Sequence, residues 1–202
     1  MSLRDFQHAV VDLTLVPHKA RALRQGDASV LANFDLTARE RERLLDIVHQ
    51  PGMRVSCSLS RGNRLEVIAE AFPMTCVLLE PVLRQLLDEL WTERRPANYQ
   101  LAGEDTAFAE LLARKRAANE ICIEYLDEIF AYELKCREMA HRMRTETTEV
   151  AIQTVIEFQH PPDMLLVPLS QLAAPPAGLP SGFYRARIQL QHGRFEVAVL
   201  PD

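Results

Sequence analysis

The sequence predicts an α+β protein in which an all-helical N-terminal domain precedes a small antiparallel β-sheet domain. Up to about residue 145 the apolar residues recur with the 3.6-residue period of amphipathic helices. Beyond Thr145 they alternate with polar residues, which is the pattern of strands that bury one face. With 202 residues, 48% of them apolar, the chain can form a substantial core. We therefore expect a helical domain over residues 1–145 and a β-rich domain over residues 146–202.

Proline and a capping pattern delimit the first helices. Residues 3–16 form an amphipathic segment that Pro17 interrupts. Thr37 and Glu40 have the spacing of a capping box, in which each residue satisfies a free backbone N–H of the other. This pattern predicts a helix that runs from here to a turn at residues 50–52.

Four further helices are predicted downstream, and the last of them is the longest element of the chain. The first covers about residues 53–71 and ends before Pro73, because proline disfavours a helical conformation in the residue that precedes it. Pro81 suits the first turn of the second helix. The remaining two are expected over residues 104–117 and 119–144.

Three strands are predicted in the C-terminal part from the alternation of apolar and polar residues. Their apolar positions are Val150, Ile152, Thr154, Ile156 and Phe158 in the first strand, Tyr184, Ala186, Ile188 and Leu190 in the second, and Phe195, Val197 and Val199 in the third. His192 and Gly193 form a two-residue hairpin loop between the last two strands. A sheet of about three strands is not stable alone. It must pack on a helix or on another protein, and it leaves at least one open edge.

Charge and composition restrict the classes of partner. The net charge is −5, whereas a domain that binds duplex DNA usually has a basic excess, so the balance argues against a nucleic-acid partner. Of the 23 basic residues, all but Lys19, Lys115 and Lys135 are arginine. Arginine suits paired or bidentate contacts better than loose solvation, so we expect many of these side chains to have defined partners.

The cysteines and the N-terminus indicate a reduced, cytoplasmic protein. The four cysteines are widely spaced and fall in apolar segments that are predicted to be helical, so we expect buried thiols rather than disulfides. They are Cys57, Cys76, Cys122 and Cys136. The N-terminus lacks the charged and apolar regions of a signal peptide, and no run of about 18 apolar residues could span a membrane.

Two acid-x-x-His pairs raise the question of a metal site. Asp46 with His49 and Glu138 with His141 have the spacing that ferritin-like di-metal bundles use. Arginines flank both pairs, which opposes the binding of two divalent cations, so we expect no metal ligands in this chain. The sequence also lacks a serine or cysteine nucleophile motif and a glycine-rich phosphate loop, so no catalytic residue is expected.

Three charged residues are predicted to lie on apolar helix faces. Arg61 and Arg64 share one face with the apolar Ile68. Glu133 falls on an apolar stripe of the last predicted helix. Because a buried carboxylate needs a partner, we expect Glu133 to pair with the two arginines inside the fold. The alternative is a perturbed carboxylate that acts as a base.

The stretch RGNRLEVIAEAFP at residues 61–73 begins a wider pattern of scattered positions over about residues 40–135. The pattern continues with a helix that ends in LW, then P-x-x-Y, G-x-x-x-x-F-A-x-x-L and YLDEIFAYE. It resembles the HvfC/BufC-type helical domain. The positions expected to be structural or to face a partner are Arg61, Asn63, Arg64, Phe72, Pro73 and Glu133.

A helical domain of this type followed by a small β-domain is similar to the MbnC family of methanobactin biosynthesis. The resemblance implies a non-catalytic subunit that forms a heterodimer with an MbnB-like iron-dependent oxidase. Together they would convert cysteines of an MbnA-like ribosomal precursor peptide into oxazolone and thioamide groups. The resemblance also implies iron in the partner enzyme, no cofactor in this chain, and a C-terminal domain that captures the leader of the precursor.

An open strand edge suits leader binding, because an extended peptide can add to it through main-chain hydrogen bonds. The candidate peptide-binding residues are Val150, Ile152, Thr154, Ile156, Phe158, Arg185, Arg187, Phe195, Val197 and Val199. The acidic residues of the strands would attract a basic leader and the arginines would repel it, so charge does not distinguish the two edges. The alternative functions are a ferritin-like di-metal protein and a nucleic-acid-binding regulator.

Overall fold

The computed structural model describes residues 3–94, 101, 103–145, 151–191 and 193–200. It confirms the α+β class, with helices over most of the first 145 residues and a three-stranded antiparallel sheet near the C-terminus. Within this described part, no helix combines the length and the apolar composition that crossing a membrane requires.

Nine helices are present among the described residues. They are α1 (Leu3–Leu15), α2 (Pro17–Arg24), α3 (Ala38–His49), α4 (Pro51–Ala71), α5 (Pro73–Leu78), α6 (Glu80–Glu93), α7 (Glu104–Ala117), α8 (Leu126–Thr145) and α9 (Pro162–Ser170), with a 3-10 turn at Ala28–Leu31. The predicted capping box is confirmed at the start of α3. The Glu40 N–H donates to the Thr37 hydroxyl at 3.2 Å, and the Thr37 N–H donates to the Glu40 carboxylate at 2.8 Å.

More helices begin with a proline than the sequence pattern predicts. Pro17 begins α2 and Pro73 begins α5, two short helices that the periodicity does not predict. Phe72 lies between α4 and α5, has the non-helical angles φ −136° and ψ 55°, and is the N-cap residue of α5. Pro73 therefore begins a second helix and not a loop. Pro51 begins α4, two residues before the predicted start. The common cause is that proline has the right φ for the first helical turn and needs no N–H partner there.

The prediction of one helix over residues 119–144 is wrong at its start. Asn119 has a φ of 55° and ends α7 in a Schellman motif, in which the Glu120 N–H donates to the Lys115 C=O at 2.9 Å. Tyr125 has a φ of 64°, and α8 begins only at the next residue. The asparagine is the local signal for this break, because its side chain tolerates the left-handed conformation better than most others.

The cysteine prediction is correct for the buried positions and wrong for Cys122. Cys57 and Cys76 are buried and Cys136 is partly buried, but Cys122 is exposed because it lies in the non-helical segment before α8. Burial raises the pKa of Cys76 to about 12 and that of Cys136 to about 11. These two side chains therefore remain thiols at neutral pH.

The sheet is formed by a hairpin and one earlier strand. Its strands are β1 (Ile152–Phe158), β2 (Tyr184–Gln191) and β3 (Arg194–Leu200), in the order β1-β2-β3 with both pairs antiparallel. Gln191 is paired with Arg194, which confirms a two-residue loop between β2 and β3; residue 192 itself lies outside the described residues. β2 is thus the central strand, and β1 and β3 are the edges.

The chain forms two compact units. Their residues are 1–68 with 84–113 for the first and 69–83 with 114–202 for the second. The first unit has a core of apolar side chains from α1 to α4, among them Leu13, Leu23 and Leu44, all essentially inaccessible to solvent. The units do not coincide with the predicted boundary at residue 145, because α8 lies in the same unit as the sheet.

In the second unit, α8 and α9 pack on one face of the sheet and α5 packs against both helices. The buried side chains there include Ile129, Leu165 and Leu169 from the helices and Ala186, Ile188 and Leu190 from β2. The sheet was expected to pack on a helix or on another protein, and the structure shows it packed on helices. α9 supplies part of that cover, although the sequence pattern does not predict this helix.

Candidate peptide-binding edge

In the part of the chain that the structure describes, no strand pairs with the outer side of β3. A two-residue hairpin loop closes on a hydrogen-bonded pair, which here is Gln191 and Arg194. Hydrogen-bonded and non-hydrogen-bonded pairs alternate along antiparallel strands. The N–H and C=O groups of Phe195, Val197 and Val199 therefore point away from β2. They form a row of donors and acceptors to which an extended peptide can add.

The side chains of the same residues make this edge apolar. On β2, the helices cover one face of the sheet, and three residues of β3 lie on that same face: Phe195, Val197 and Val199. Their surfaces are nevertheless 40%, 39% and 50% exposed. Their cross-strand partners on β2 are fully buried. The helical cover thus ends between β2 and β3. A half-exposed apolar edge strand is a site where another chain can pair.

The predicted residues of β1 lie on the same face but are more deeply buried. Ile152, Thr154 and Ile156 are partly buried, and Phe158 is a core residue with 2% of its surface exposed. Val150 lies outside the described residues. The inner face of β1 therefore offers a guest less free apolar surface than the inner face of β3.

Arg185 and Arg187 are exposed on the opposite face of the sheet. Arg185 is the cross-strand partner of Glu157, and its guanidinium lies 6.0 Å from the centroid of the Phe183 ring. Glu196 of β3 is on this face as well, so charges of both signs occur there. The predicted peptide-binding residues therefore do not form a single surface: the apolar ones on β3 lie together, and the arginines lie on the other side.

Arg64 is buried in the first unit and pairs with Glu104, not with the predicted partner Glu133. Its Nε and Nη2 donate to the two carboxylate oxygens of Glu104 at 2.9 and 3.1 Å, and Nη2 also donates to the Arg94 C=O at 3.0 Å. Its guanidinium carbon lies 5.2 Å from the centroid of the Trp91 ring. Only 2% of Arg64 and 5% of Glu104 are exposed. Burial lowers the pKa of Arg64, and the Glu104 carboxylate opposes that shift.

Glu133 caps helix α5. Its two carboxylate oxygens accept hydrogen bonds from the Met74 N–H at 2.7 Å and the Thr75 N–H at 2.9 Å. N–H groups in the first turn of a helix have no partner inside the helix, and the N-cap residue of α5 provides no side-chain acceptor. The predicted pairing of Glu133 with Arg61 and Arg64 is therefore wrong. Backbone donors satisfy this buried carboxylate instead.

Burial raises the pKa of Glu133 above its usual 4.5, and the Thr75 side chain and the N–H groups of Met74 and Thr75 oppose this shift without reversing it. Because the folded pKa is the higher one, the folded chain holds a proton that the unfolded chain has lost in the window between the two values. The stability linked to this group is thus fully present below 4.5 and is lost as the pH rises through the folded pKa.

We therefore expect the difference in unfolding free energy between the wild type and Glu133→Ala to shrink as the pH rises from 4.5 through the raised pKa. Urea titrations at a series of pH values measure this difference. A difference that grows over the same window would contradict the direction of the shift.

The other residues of the RGNRLEVIAEAFP stretch occupy different environments. Asn63 and Pro73 are exposed and so stay candidates for a partner interface. Phe72 is fully buried, with its ring centroid 5.6 Å from that of Phe130, and is a core residue. Arg61 is partly buried, and its Nε has no hydrogen-bond partner among the described residues.

The two acid-x-x-His pairs lie on the surface. Asp46, His49, Glu138 and His141 are all exposed, and the Glu138 carboxylate accepts from the Lys135 Nζ at 2.7 Å. Across the described ranges, no group of three or more His, Cys, Asp or Glu side chains is arranged to hold a metal ion.

Glu104 is the important residue that the sequence does not single out. It stands in the first turn of α7, where an acidic residue is common because it interacts favourably with the helix dipole. An exposed residue at that position would look the same in the sequence. Only the tertiary structure shows that this carboxylate is buried against Arg64.

No protein-family model matches the sequence, and no curated protein matches it significantly. A function must therefore be argued from the chain's own residues. Among these, the open and apolar edge of β3 is the feature whose geometry fits a particular kind of ligand, an extended polypeptide.

Proposed function

We propose that this chain is a non-catalytic, MbnC-like subunit that binds the leader of an MbnA-like ribosomal precursor peptide along the open edge of β3. An MbnB-like iron-dependent oxidase forms a heterodimer with it and converts cysteines of the bound peptide into oxazolone and thioamide groups, as in methanobactin biosynthesis. The oxidase holds the iron, and both proteins act in the cytoplasm.

The observation that carries this proposal is the coincidence of two features on β3. The outward N–H and C=O groups of Phe195, Val197 and Val199 can bond to an extended guest. The side chains of the same residues leave apolar surface exposed beside the helical cover. A guest strand would extend the sheet, and its inward side chains would cover that surface and supply selectivity.

The edge of β1 fits a guest less well. Its outward backbone groups belong to Gln153, Val155 and Glu157, since these alternate with the residues that bond to β2. The inner face of β1 is already partly or fully buried. A guest at this edge would gain less apolar contact than one at β3.

Val197→Pro is expected to abolish leader binding and to leave the sheet intact. Proline lacks an N–H, and at position 197 that N–H points to the open edge, so no bond between β2 and β3 is lost. Affinity for a fluorescent synthetic leader peptide, measured by polarisation, should fall at least about tenfold, or ~1.4 kcal/mol. The far-UV circular dichroism spectrum should not change.

Val155→Pro is the matched control, because its N–H points outward at the other edge. Normal affinity in this variant together with loss in Val197→Pro supports β3 as the docking edge. The reverse result would mean that the leader binds at the edge of β1. Full affinity in both variants would reject strand addition as the mode of recognition.

Co-expression tests the partner. The chain should co-purify with the MbnB-like oxidase encoded beside the precursor peptide, and the iron should stay with that enzyme. Two or more irons held tightly by the isolated chain would instead support the di-metal alternative. A salt-dependent shift of duplex DNA would support the regulator, which the net charge of −5 disfavours.

A further inference from the structure

Three side chains of the second unit form an acid–histidine–serine relay. The Glu128 Oε1 lies 2.5 Å from the His160 Nδ1, and the His160 Nε2 lies 3.3 Å from the Ser181 Oγ. They come from α8, from the segment between β1 and α9, and from the loop before β2. This is the arrangement of a nucleophile, its base and the group that orients the base.

The Glu128 carboxylate is fixed in its orientation and is mostly buried. Its Oε2 accepts from the backbone N–H of Gln159 at 2.6 Å and from that of His160 at 3.0 Å. Because a carboxylate can only accept, the His160 Nδ1 carries the proton of their bond in the neutral ring. The lone pair of Nε2 then faces the Ser181 hydroxyl, which donates to it.

The imidazole and the serine loop are both held in place. The Tyr125 ring meets the His160 ring edge to face, with centroids 4.9 Å apart. The Tyr125 hydroxyl donates to the Pro176 C=O and accepts from the Leu179 N–H, each at 3.0 Å. Ser181 itself is exposed. A substrate can therefore reach the hydroxyl, while its base stays oriented by groups behind it.

We propose that Ser181 is an activated nucleophile that accepts the acyl group of an ester or thioester, with His160 as its general base and Glu128 as the residue that positions His160. This inference is independent of peptide binding at β3. In the proposed function the chain is non-catalytic toward the cysteines of the precursor peptide, and the acyl-transfer site is a separate activity of a chain whose sequence shows no serine nucleophile motif.

The step is an acyl transfer with no change of oxidation state. The Ser181 Oγ forms a bond to the acyl carbon while its proton passes to the His160 Nε2. The bond from the acyl carbon to the leaving oxygen or sulfur then breaks, and the leaving group takes that proton. Water repeats the sequence on the acyl-serine ester and restores the free hydroxyl.

The geometry predicts modest rates and activated substrates. A separation of 3.3 Å is long for this hydrogen bond, although such contacts often tighten when substrate binds. The N–H of Gly182, next to the nucleophile, already donates to the Gln159 C=O at 2.8 Å and cannot stabilise an oxyanion. A positioned base alone contributes about 10²- to 10⁴-fold.

The test uses the full chain, a fluorophosphonate probe and p-nitrophenyl acetate. We expect one adduct by intact mass, located at Ser181 by peptide mapping, and no adduct there in Ser181→Ala. His160→Gln should slow labelling of Ser181 about 10²-fold or more. Ser170→Ala is the matched control: Ser170 is also exposed, but its hydroxyl donates to the Val167 C=O, so this change should leave labelling at Ser181 unaltered.

A separate measurement tests whether Glu128 positions His160. Nitrogen chemical shifts of the His160 ring should show the Nδ1–H form in the wild type and a shift of the tautomer equilibrium in folded Glu128→Gln. The proposal is overturned if Ser181 reacts no faster than Ser170 in the wild type. It is equally overturned if folded His160→Gln labels Ser181 at the wild-type rate, and neither outcome requires that the serine variant fold.

Discussion

Arg64→Leu is expected to destabilise the chain by about 3–5 kcal/mol, because it leaves the Glu104 carboxylate buried without its partner. The loss also removes the bond to the Arg94 C=O and the contact with the Trp91 ring. Trp91 is the only tryptophan of the chain and lies against the changed residue, so denaturant unfolding followed by its fluorescence reports on this unit.

Arg94→Ala is the control for this experiment. Its guanidinium forms an ion pair of similar length with Glu110, at 2.9 Å, but both side chains are more than half exposed. An exposed pair of this kind contributes about 0–1 kcal/mol. Arg94→Ala thus removes an exposed arginine–glutamate pair and keeps the backbone C=O that accepts from Arg64.

A double-mutant cycle measures the interaction energy between Arg64 and Glu104 separately from the other contacts of each residue. Arg64→Leu combined with Glu104→Leu should recover most of the loss, since two apolar side chains can replace a buried ion pair at little cost. If Arg64→Leu costs less than about 0.5 kcal/mol, as is usual at surface sites, the guanidinium is not buried in solution.

Glu133→Ala is expected to cost about 2–6 kcal/mol at neutral pH. The change leaves the Met74 and Thr75 N–H groups without an acceptor, and each buried, unsatisfied group costs about 1–3 kcal/mol. Hydrogen exchange at these two amides should accelerate more than exchange elsewhere, because α5 loses its cap. Urea unfolding followed by circular dichroism gives the total loss.

Glu138→Ala on the same helix is the matched control. Glu138 is exposed and accepts from Lys135 across one turn, so its loss should cost no more than about 0.5 kcal/mol. Equal losses in the two variants would mean that Glu133 has no special role. Unchanged exchange at Met74 and Thr75 in a folded Glu133→Ala chain would show that it does not cap α5.

Local patterns predicted the features of this fold that depend on near neighbours. The capping box at Thr37, the range of α7 and the alternation along β2 and β3 all follow from residues within a few positions of each other. The sequence also showed that Arg64 and Glu133 lie on buried faces, since each falls among apolar residues at helical spacing. These inferences need no knowledge of how distant segments meet.

Long-range contacts explain what the sequence could not show. The donors to Glu133 come from a segment about sixty positions earlier, and backbone N–H groups carry no sequence signature. The acid that pairs with Arg64 lies forty positions later, where it looks like any residue at a helix start. Glu128, His160 and Ser181 are likewise separated along the chain and have no recognisable spacing.

The open edge of β3 is short, and its length limits the number of hydrogen bonds that can bind a peptide there. From Phe195 to Val199 it spans roughly 14 Å, at about 3.4 Å per residue. Three outward N–H and three outward C=O groups allow six bonds, worth roughly 3–9 kcal/mol in total at about 0.5–1.5 each. Ordering a five-residue peptide costs about 1–2 kcal/mol per residue, which offsets that sum and slightly exceeds it. Net affinity must then come from the guest's inward side chains, so hydrophobic content, more than sequence identity, would decide which peptides stay bound.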